Sequence, residues 1–300
     1  MRRSNKIRIA HTIKEARGEI DEAWARGEEI GSVPTMGYLH EGHLSLIDLA
    51  KKDSGYVVVS IFVNPTQFGP NEDFQNYPRD FERDRQMLES RGAALIFAPD
   101  VAEMYPQRSR IRFELDTLGD HLCGARRPGH FSGVLQVVTK LFHIIQPDVA
   151  IFGQKDLQQL LIIRRLVNEF DFPIKIIAGA TLREPDGLAM SSRNSYLSIE
   201  ERREAAVLNH ALQHAKKLLD SGERRAERVI DAMRELIQRE VPSGKIDYIE
   251  IVNLEDLQPI SRCEKIFAIA LAVYLGKTKL IDNIVLKIDG ENVEEIRALN

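Results

Sequence analysis

The chain has 300 residues but few cysteines, no long apolar run and no excess of positive charge. Its two cysteines, Cys123 and Cys263, lie far apart and outside any CxxC or Cys/His cluster, which argues against a disulfide scaffold and a structural zinc site. The longest apolar run, residues 266–275, is too short to span a bilayer. The 41 Lys and Arg residues are outnumbered by 45 Asp and Glu, so neither nucleic acid nor an anionic membrane is an expected partner.

Several common enzyme motifs are also missing. There is no G-x-G-x-x-G, residues 129–133 do not form G-x-S-x-G, and neither cysteine lies in a recognisable nucleophile setting. These absences point away from hydride transfer and covalent hydrolysis, and they favour phosphate-directed chemistry driven by positioning and electrostatics. Because no apolar stretch follows the first basic residues, no signal peptide is predicted and a cytoplasmic location is expected.

In the first two thirds of the chain, β-branched apolar runs alternate with amphipathic segments. The runs predict strands at 29–34, 56–63, 94–98, 149–152 and 174–178. The amphipathic segments predict helices at about 40–52, 81–91, 134–145 and 157–169. This alternation predicts an α/β fold with a doubly wound, Rossmann-like parallel sheet, which binds ligands beyond the carboxyl ends of its strands.

The pattern changes after a turn signal at residues 185–187. Ser198 and Glu201 form a capping-box pattern that predicts the start of a long helix, and a second helix is predicted at about 226–240. Strands are predicted at 246–252, 265–275 and 280–288, with a hairpin loop at 276–279. The sequence therefore predicts a Rossmann-like domain over residues 1–184 and a smaller α+β domain, with helices and a short antiparallel sheet, over residues 185–300.

Two histidines follow the first predicted strand. His40 and His43 share one face at the start of a helix, where free N–H groups and the helix dipole attract an anion. Gly42 between them permits close approach of a ligand. Zinc is the alternative use of paired histidines, but no clear third ligand accompanies these two. A similar pair, His210 and His214, is interpreted as solvated surface beside an apolar helix stripe.

Four further loops carry polar groups of uncertain use. Asn64 and Gln67 end the clearest strand and suit a small polar substrate, although an ordinary Asn-Pro turn explains them as well. Arg126 and Arg127 suit phosphate or carboxylate, or simply form a solvated basic turn.

The other two loops also have both a phosphate-binding and an ordinary structural interpretation. Lys155 can reach a phosphate, while Asp156 beside it can cap the next helix or bind an amine or a metal. Residues 190–193, Met-Ser-Ser-Arg, form a candidate phosphate clamp and mobile lid, with a polar interdomain linker as the alternative.

Taken together, these motifs resemble a known family. Residues 40–43 resemble the H-x-G-H signature of the nucleotidyltransferase superfamily, and residues 190–193 resemble its mobile phosphate-binding signature. Longer strings resemble the pantothenate synthetase (pantoate–β-alanine ligase) family, and the resemblance spans about residues 29–288; the strings are 33–37, 60–68, 77–79, 127–131, 152–156, 186–194 and 280–283.

The resemblance implies an ATP-dependent ligase that acts in two steps. The carboxylate of pantoate attacks the α-phosphorus of ATP and releases pyrophosphate, and the amine of β-alanine then displaces AMP to give pantothenate. It also implies Mg²⁺ held largely by phosphate oxygens and water, with no metal ligands assigned in the protein, and a homodimer. Two alternatives stay open: another nucleotidyltransferase of the superfamily, and a non-catalytic ATP-binding sensor of the same fold.

The resemblance also implies roles for individual residues. The catalytic set is His40, His43, Lys155, Ser191, Ser192 and Arg193. The ATP-binding set is Met36, Gly37, Tyr38, Leu39, His40, Glu41, Gly42, His43, Gly153, Gln154, Lys155, Asp156, Leu182, Met190, Ser191, Ser192 and Arg193. The set for pantoate and β-alanine is Gln67, Gln159, Asn64, Tyr77, Arg127 and His130. In one departure from the family, Cys123 stands where a glutamate is common.

Overall fold

A parallel sheet and an antiparallel sheet form the framework of the molecule. The computed structural model describes residues 6–70 and 72–300. Its strands are β1 (Arg8–Ala10), β2 (Ile30–Thr35), β3 (Tyr56–Ile61), β4 (Leu95–Phe97), β5 (Val149–Gly153), β6 (Lys175–Gly179), β7 (Lys245–Asn253), β8 (Ile266–Leu275), β9 (Thr278–Asp289) and β10 (Asn292–Glu295). Its α-helices are α1 (Ile13–Ala25), α2 (Glu41–Asp53), α3 (Phe81–Arg91), α4 (Val101–Met104), α5 (Leu122–Arg126), α6 (His130–Ile145), α7 (Leu157–Glu169), α8 (Ile199–Glu204), α9 (Val207–Asp220) and α10 (Ala226–Glu240).

The parallel sheet has the strand order β1-β4-β3-β2-β5-β6. Apolar side chains of α1, α6 and α7 pack on one face, and those of α2 and α3 pack on the other. The predicted doubly wound α/β fold is therefore confirmed. Because β2 pairs with both β3 and β5, the chain order reverses at β2, and the loops that follow β2 and β5 meet at this switch point.

The antiparallel sheet has the order β10-β9-β8-β7, which confirms the predicted α+β character of the C-terminal part. Helices α9 and α10 cover one face, where Leu212, Leu236 and Phe267 belong to one buried cluster. The opposite face packs against the parallel-sheet part, and Leu157 and Val252 meet there in another buried cluster. None of the helices in the described part of the chain is long and apolar enough to cross a membrane.

Some predicted boundaries were wrong. The predicted long helix from residue 198 is broken, since α8 ends at Glu204 and α9 begins at Val207, and neither glycine nor proline marks the break. Helix α6 begins at His130, four residues earlier than predicted. The loop between β8 and β9 is only Gly276 and Lys277.

Five elements were not predicted at all: β1, β10, α1, α4 and α5. Helices α4 and α5 have only four and five residues. Strand β1 has three residues and β10 has four, too short for a periodic signal. Helix α1 buries only Ala16, Ile20 and Ala23, although Thr12 and Glu15 form a complete capping box at its start.

Helix α6 lies against the turn that carries Gln67, and Gly133 is the point of contact. A Cβ at this position would lie 2.3 Å from the carbonyl oxygen of Thr66 and 2.7 Å from the amide nitrogen of Gln67. We therefore expect Gly133→Ala to destabilise the protein by about 1–3 kcal/mol through overpacking, measured by thermal unfolding.

The matched control is Gly18→Ala, because Gly18 also lies in a helix and its Cβ would have no heavy atom within 4 Å. This change should be neutral or stabilise the protein by up to about 1 kcal/mol, since alanine favours the helix. Equal unfolding temperatures for Gly133→Ala and Gly18→Ala would contradict the close contact.

Candidate active site

A tight turn after β2 is held by one buried carboxylate. Gly37 and Tyr38 both have positive φ, at 82° and 50°. The amides of Tyr38 and Leu39 each donate to the carboxylate of Asp84 on α3, at 2.7 Å. Asp84 is 1% exposed, and burial raises the pKa of its carboxyl group while the two amide bonds act in the opposite direction. Sequence analysis missed Asp84 because its partners lie about 45 residues away in the chain.

His40 and His43 are brought together at the start of α2, as predicted. His40 is the N-cap residue, the helix begins at Glu41, and the two ring centroids lie 4.0 Å apart. The amide of His40 donates to Nδ1 of His43 at 3.3 Å, which leaves the ring proton of His43 on Nε2. Gly42 makes room for the pair, because a Cβ there would lie 2.8 Å from two atoms of the His40 ring.

Both imidazoles are neutral at pH 7. Burial, with His43 and Lys155 nearby, lowers the pKa of His40 to about 3. Burial and the charge of Lys155 lower the pKa of His43 to about 4. The pair can therefore offer N–H donors to an anion, and the cationic charge beside it comes from Lys155.

Lys155 lies in the 3₁₀ turn Gln154–Asp156, directly after β5. Its neighbour Gln154 was predicted to bind ATP, but its side chain is buried and points to the C-terminus. Gln154 donates to the carbonyl of Ile296 at 2.9 Å and accepts the amide of Leu299 at 2.8 Å. The turn is thus tied to the last residues of the chain.

Asn64 and Gln67 form one buried unit after β3. Asn64 donates to the side-chain oxygen of Gln67 and to the carbonyl of Gly133, both at 3.1 Å. Its own side-chain oxygen accepts from Thr66 and from the hydroxyl of Tyr105. Asn64 therefore has its hydrogen-bonding capacity filled by protein. It holds the side-chain oxygen of Gln67, whose amide nitrogen donates to the sulfur of Met36 at 3.2 Å in the lining of the smaller cavity.

Arg127 and His130 are also held by protein groups. Arg127 makes a two-point ion pair with Glu72, at 2.7 and 2.5 Å. Nδ1 of His130 lies 2.8 Å from the carbonyl of Gln67 and its Nε2 lies 3.0 Å from Arg127, so the ring proton is on Nδ1. Burial and the charge of Arg127 lower the pKa of His130 to about 4.

The loop of residues 190–193 docks onto the turn after β2. Ser192 donates to the carbonyl of Tyr38 at 3.0 Å. Arg193 makes a two-point ion pair with Asp73, at 3.0 and 2.9 Å, and its guanidinium lies 5.8 Å from the centre of the Tyr77 ring. Asp73, like Glu72, is a site residue that sequence analysis missed.

Two adjoining cavities, of about 230 and 590 Å³, open at the switch point. They share Lys155, Gln159 and Arg193 in their linings. The predicted residues that line the smaller cavity are Met36, His40, Gly42, His43, Asn64, Gln67, Tyr77, Arg127, His130, Gly153, Lys155, Asp156, Gln159, Leu182, Met190, Ser191, Ser192 and Arg193.

A few predicted residues do not line either cavity. They are Gly37, Tyr38, Leu39, Glu41 and Gln154. The first three form the turn itself, and Glu41 pairs with Arg91 at 2.6 Å. Cys123 lines the larger cavity with its sulfur 3.3 Å from the hydroxyl of Tyr248. His210 is exposed and pairs with Glu240, in agreement with its interpretation as surface.

Comparison with known proteins identifies the family. The family model for pantoate-beta-alanine ligase matches residues 8–285. The chain is 53% identical to a pantothenate synthetase of Desulfitobacterium hafniense over 93% of its length and 99% of the relative, and 50% identical to one of Thermotoga petrophila over 93% and 100%. It belongs to the pantoate–β-alanine ligase family.

Solved structures agree with this assignment. A pantothenate synthetase of Thermus thermophilus superposes with a TM-score of 0.86 at 43% identity, covering 92% of this chain and 98% of that one. A pantoate-beta-alanine ligase of Francisella tularensis, solved with beta-gamma ATP and β-alanine, gives 0.77 at 37% identity, covering 92% and 97%. The enzyme is thus a ligase that condenses pantoate with β-alanine in an ATP-dependent reaction, forming pantothenate, AMP and pyrophosphate through pantoyl adenylate.

The lowered pKa values predict how the ligase loses stability in acid. Unfolded histidine titrates near pH 6.5, whereas His40, His43 and His130 titrate at about 3 to 4 when folded. Above pH 6.5 these imidazoles are neutral in the folded and the unfolded state, so they add no pH dependence to the unfolding free energy. As the pH falls from 6.5 toward 4, the unfolded state binds protons that the folded state does not bind, and the fold is destabilised. His130→Gln should therefore lower by about one the number of protons that the protein takes up on unfolding in this pH range.

The measurement is urea unfolding of both proteins at several pH values from 4.5 to 8. Above pH 7 the difference in unfolding free energy between wild type and variant should be constant. Below pH 6.5 wild type should lose stability faster than the variant, and parallel curves over the whole range would contradict neutral burial of His130.

Asp84→Asn tests the turn after β2. Asparagine keeps one acceptor oxygen but turns an NH₂ group toward a backbone amide, so one of two bonds to Tyr38 and Leu39 is lost. We expect a loss of about 1–3 kcal/mol in unfolding free energy and a raised KM for ATP. The control is Asp80→Asn, the N-cap of the same helix, which should leave both unchanged because asparagine caps equally well. A normal KM for ATP in Asp84→Asn would refute this role.

Proposed function

We propose that the two cavities hold ATP and pantoate side by side, with the α-phosphate of ATP near Lys155 and the histidine pair. The observation that carries this proposal is the convergence of three anion-binding elements on the switch point: the start of α2, the turn after β5 and the loop of residues 190–193. Gln67 and Gln159 line the same space and supply amides for a small polar substrate.

In the first step, a carboxylate oxygen of pantoate attacks the α-phosphorus, and the bond to pyrophosphate breaks. His40, His43 and Lys155 stabilise the charge that accumulates on the phosphate oxygens. Neutral imidazoles are suited to this role, because they donate N–H bonds without requiring a proton to be gained or lost. Ser191, Ser192 and Arg193 close over the phosphates, and Met36, Gly153, Asp156, Leu182 and Met190 complete the nucleotide pocket.

In the second step, the amine of β-alanine attacks the acyl carbon of pantoyl adenylate. The bond to AMP breaks, and the amine loses a proton. Gln67 is proposed to hold the oxygens of both substrates through its amide nitrogen, with Gln159, Tyr77, Arg127 and His130 around it. Since both steps transfer the reacting group directly to the acceptor, the enzyme needs an aligned, water-poor cavity rather than its own nucleophile.

Mg²⁺ is proposed to bind through phosphate oxygens and water. Across residues 6–70 and 72–300, no group of three His, Cys, Asp or Glu side chains is arranged to hold a metal ion. Glu72 and Asp73 in the cavity lining are paired with arginines, which fits an ion brought by the nucleotide. Asp156, which is exposed, is the lining carboxylate that could add a protein oxygen. When bound, the ion would neutralise charge on the phosphates.

Three further features are proposed from the sequence and the family resemblance. They are a boundary near residue 184 between the two domains, a cytoplasmic location and a homodimer. The dimer gains support from Ile111, an apolar side chain that is 79% exposed. Light scattering after gel filtration would test it.

A pyrophosphate-exchange assay tests the proposed mechanism. The protein is incubated with Mg-ATP and labelled pyrophosphate, with and without pantoate, and β-alanine is then added. Exchange that requires pantoate, followed by AMP release that requires β-alanine, supports both steps. ATP binding without exchange would contradict the proposed first step at this site, and exchange that does not require pantoate would contradict the placement of pantoate beside the α-phosphate.

Lys155→Ala should lower the rate of pantoyl adenylate formation by at least about a hundredfold, because it removes a positive charge that stabilises the transition state. Its effect on thermal stability should be small, since Lys155 is only half-buried. His210→Ala serves as the surface control and should react at the wild-type rate. A Lys155→Ala enzyme with near-normal kinetics would rule out the proposed role of this lysine.

A further inference from the structure

Asn283, on β9 of the antiparallel sheet, reaches into the turn that carries Lys155. Its side-chain nitrogen donates to the carbonyl oxygens of Gln154 at 3.1 Å and of Lys155 at 2.8 Å. Asn283 is 5% exposed, so both bonds are shielded from water. One side-chain amide of the antiparallel sheet thus holds two successive carbonyls of the turn that follows β5 of the parallel sheet.

The turn is held from two sides: the side chain of Gln154 bonds to the C-terminal segment, and Asn283 holds the carbonyls of Gln154 and Lys155. Residues 154–156 form a 3₁₀ turn, a conformation with weaker hydrogen-bond geometry than an α-helix. A hydrogen bond to the carbonyl of Lys155 holds the backbone of this residue, and with it the Cα from which the lysine side chain extends. A shift of the turn by about 1 Å would move the ammonium group by a similar distance, enough to cost up to about a hundredfold in rate when alignment is critical.

The residue before Asn283 makes a parallel connection. Asp282 is 2% exposed and forms a two-point ion pair with Arg183, at 2.6 and 3.0 Å. Arg183 also donates to the carbonyl of Gly187 at 3.0 Å, within the segment that leads to residues 190–193. The backbone N–H of Asn283 donates to the Asp282 carboxylate at 2.8 Å. Two adjacent residues of β9 therefore hold both elements that carry phosphate-binding groups.

We propose that Asn283 is a positioning residue for Lys155, and that the C-terminal sheet acts in adenylation by setting the place of this lysine. Asn283 does not contact substrate in this proposal; it acts through the backbone of Lys155. The proposal rests on the role given to Lys155 above, and it assigns a function in the first step to a part of the chain outside the parallel sheet.

A double-mutant cycle tests the proposal. The single-turnover rate of pantoyl adenylate formation is measured at saturating ATP and pantoate for wild type, Asn283→Ala, Lys155→Ala and the double variant. Asn283→Ala should lower the rate by about tenfold to a hundredfold. In the Lys155→Ala background the same change should have little further effect, because the group that it positions is already absent.

The matched control is Ile284→Ala, a change at the next residue of β9, where the side chain is also buried but packs with the helices of the C-terminal part. It should lower the unfolding temperature, yet leave the rate per folded molecule at the wild-type value. Asn283→Asp is the second variant, since it keeps the volume but loses the donor, and it should show the same loss of rate as Asn283→Ala.

Two results would overturn the proposal. One is a rate within about twofold of wild type for folded Asn283→Ala or Asn283→Asp, which is far less than a misplaced lysine would cause. The other is an equal loss of rate in the wild-type and Lys155→Ala backgrounds, which would indicate a general structural role. Failure of the role proposed for Lys155 is distinguishable, because the Lys155→Ala single variant would then react at nearly the wild-type rate.

Discussion

The two bonds from the amides of Tyr38 and Leu39 to the buried carboxylate of Asp84 are the interaction on which the active site depends. They hold a turn with two positive-φ residues in place before α2 begins. His40 follows that turn as the N-cap of α2, and Ser192, in the loop of residues 190–193, donates to the carbonyl of Tyr38. The direction of the helix start, the contact between the two tilted histidine rings and the position of the loop all follow from this one interaction.

The charges around the cavities are arranged so that the protein tolerates an empty site. Arg127 and Arg193 are each paired with a carboxylate, and the histidines are kept neutral by burial. Lys155 contributes its charge from a half-buried position, where water can still reach it. Such an arrangement limits repulsion between like charges, and it leaves N–H donors that could bind an anion without proton uptake.

Sequence patterns predicted what depends on local order. The parallel strands, most helices and the convergence of His40, Lys155 and residues 190–193 followed from periodicity and from the position of loops after strands. The supporting carboxylates were beyond reach, because each pairs with a group 45 to 120 residues away, as Asp84 does with Leu39 and Asp73 with Arg193. No periodic signal marks such a residue, and an exposed acidic helix is the ordinary expectation for the segment that contains Asp84.

Some residues that line the cavities are bonded to other protein groups, and this changes how substitutions at these residues are interpreted. Asn64 lines the smaller cavity, so its loss would suggest contact with substrate. However, its side chain already bonds to Gln67, Gly133, Thr66 and Tyr105. A lower rate in an Asn64 variant would therefore report a misplaced Gln67, because the bond from Asn64 to the side-chain oxygen of Gln67 is lost. Lining a cavity is therefore not sufficient to assign a side chain to substrate contact, because a residue such as Asn64 sets the geometry through bonds to protein groups.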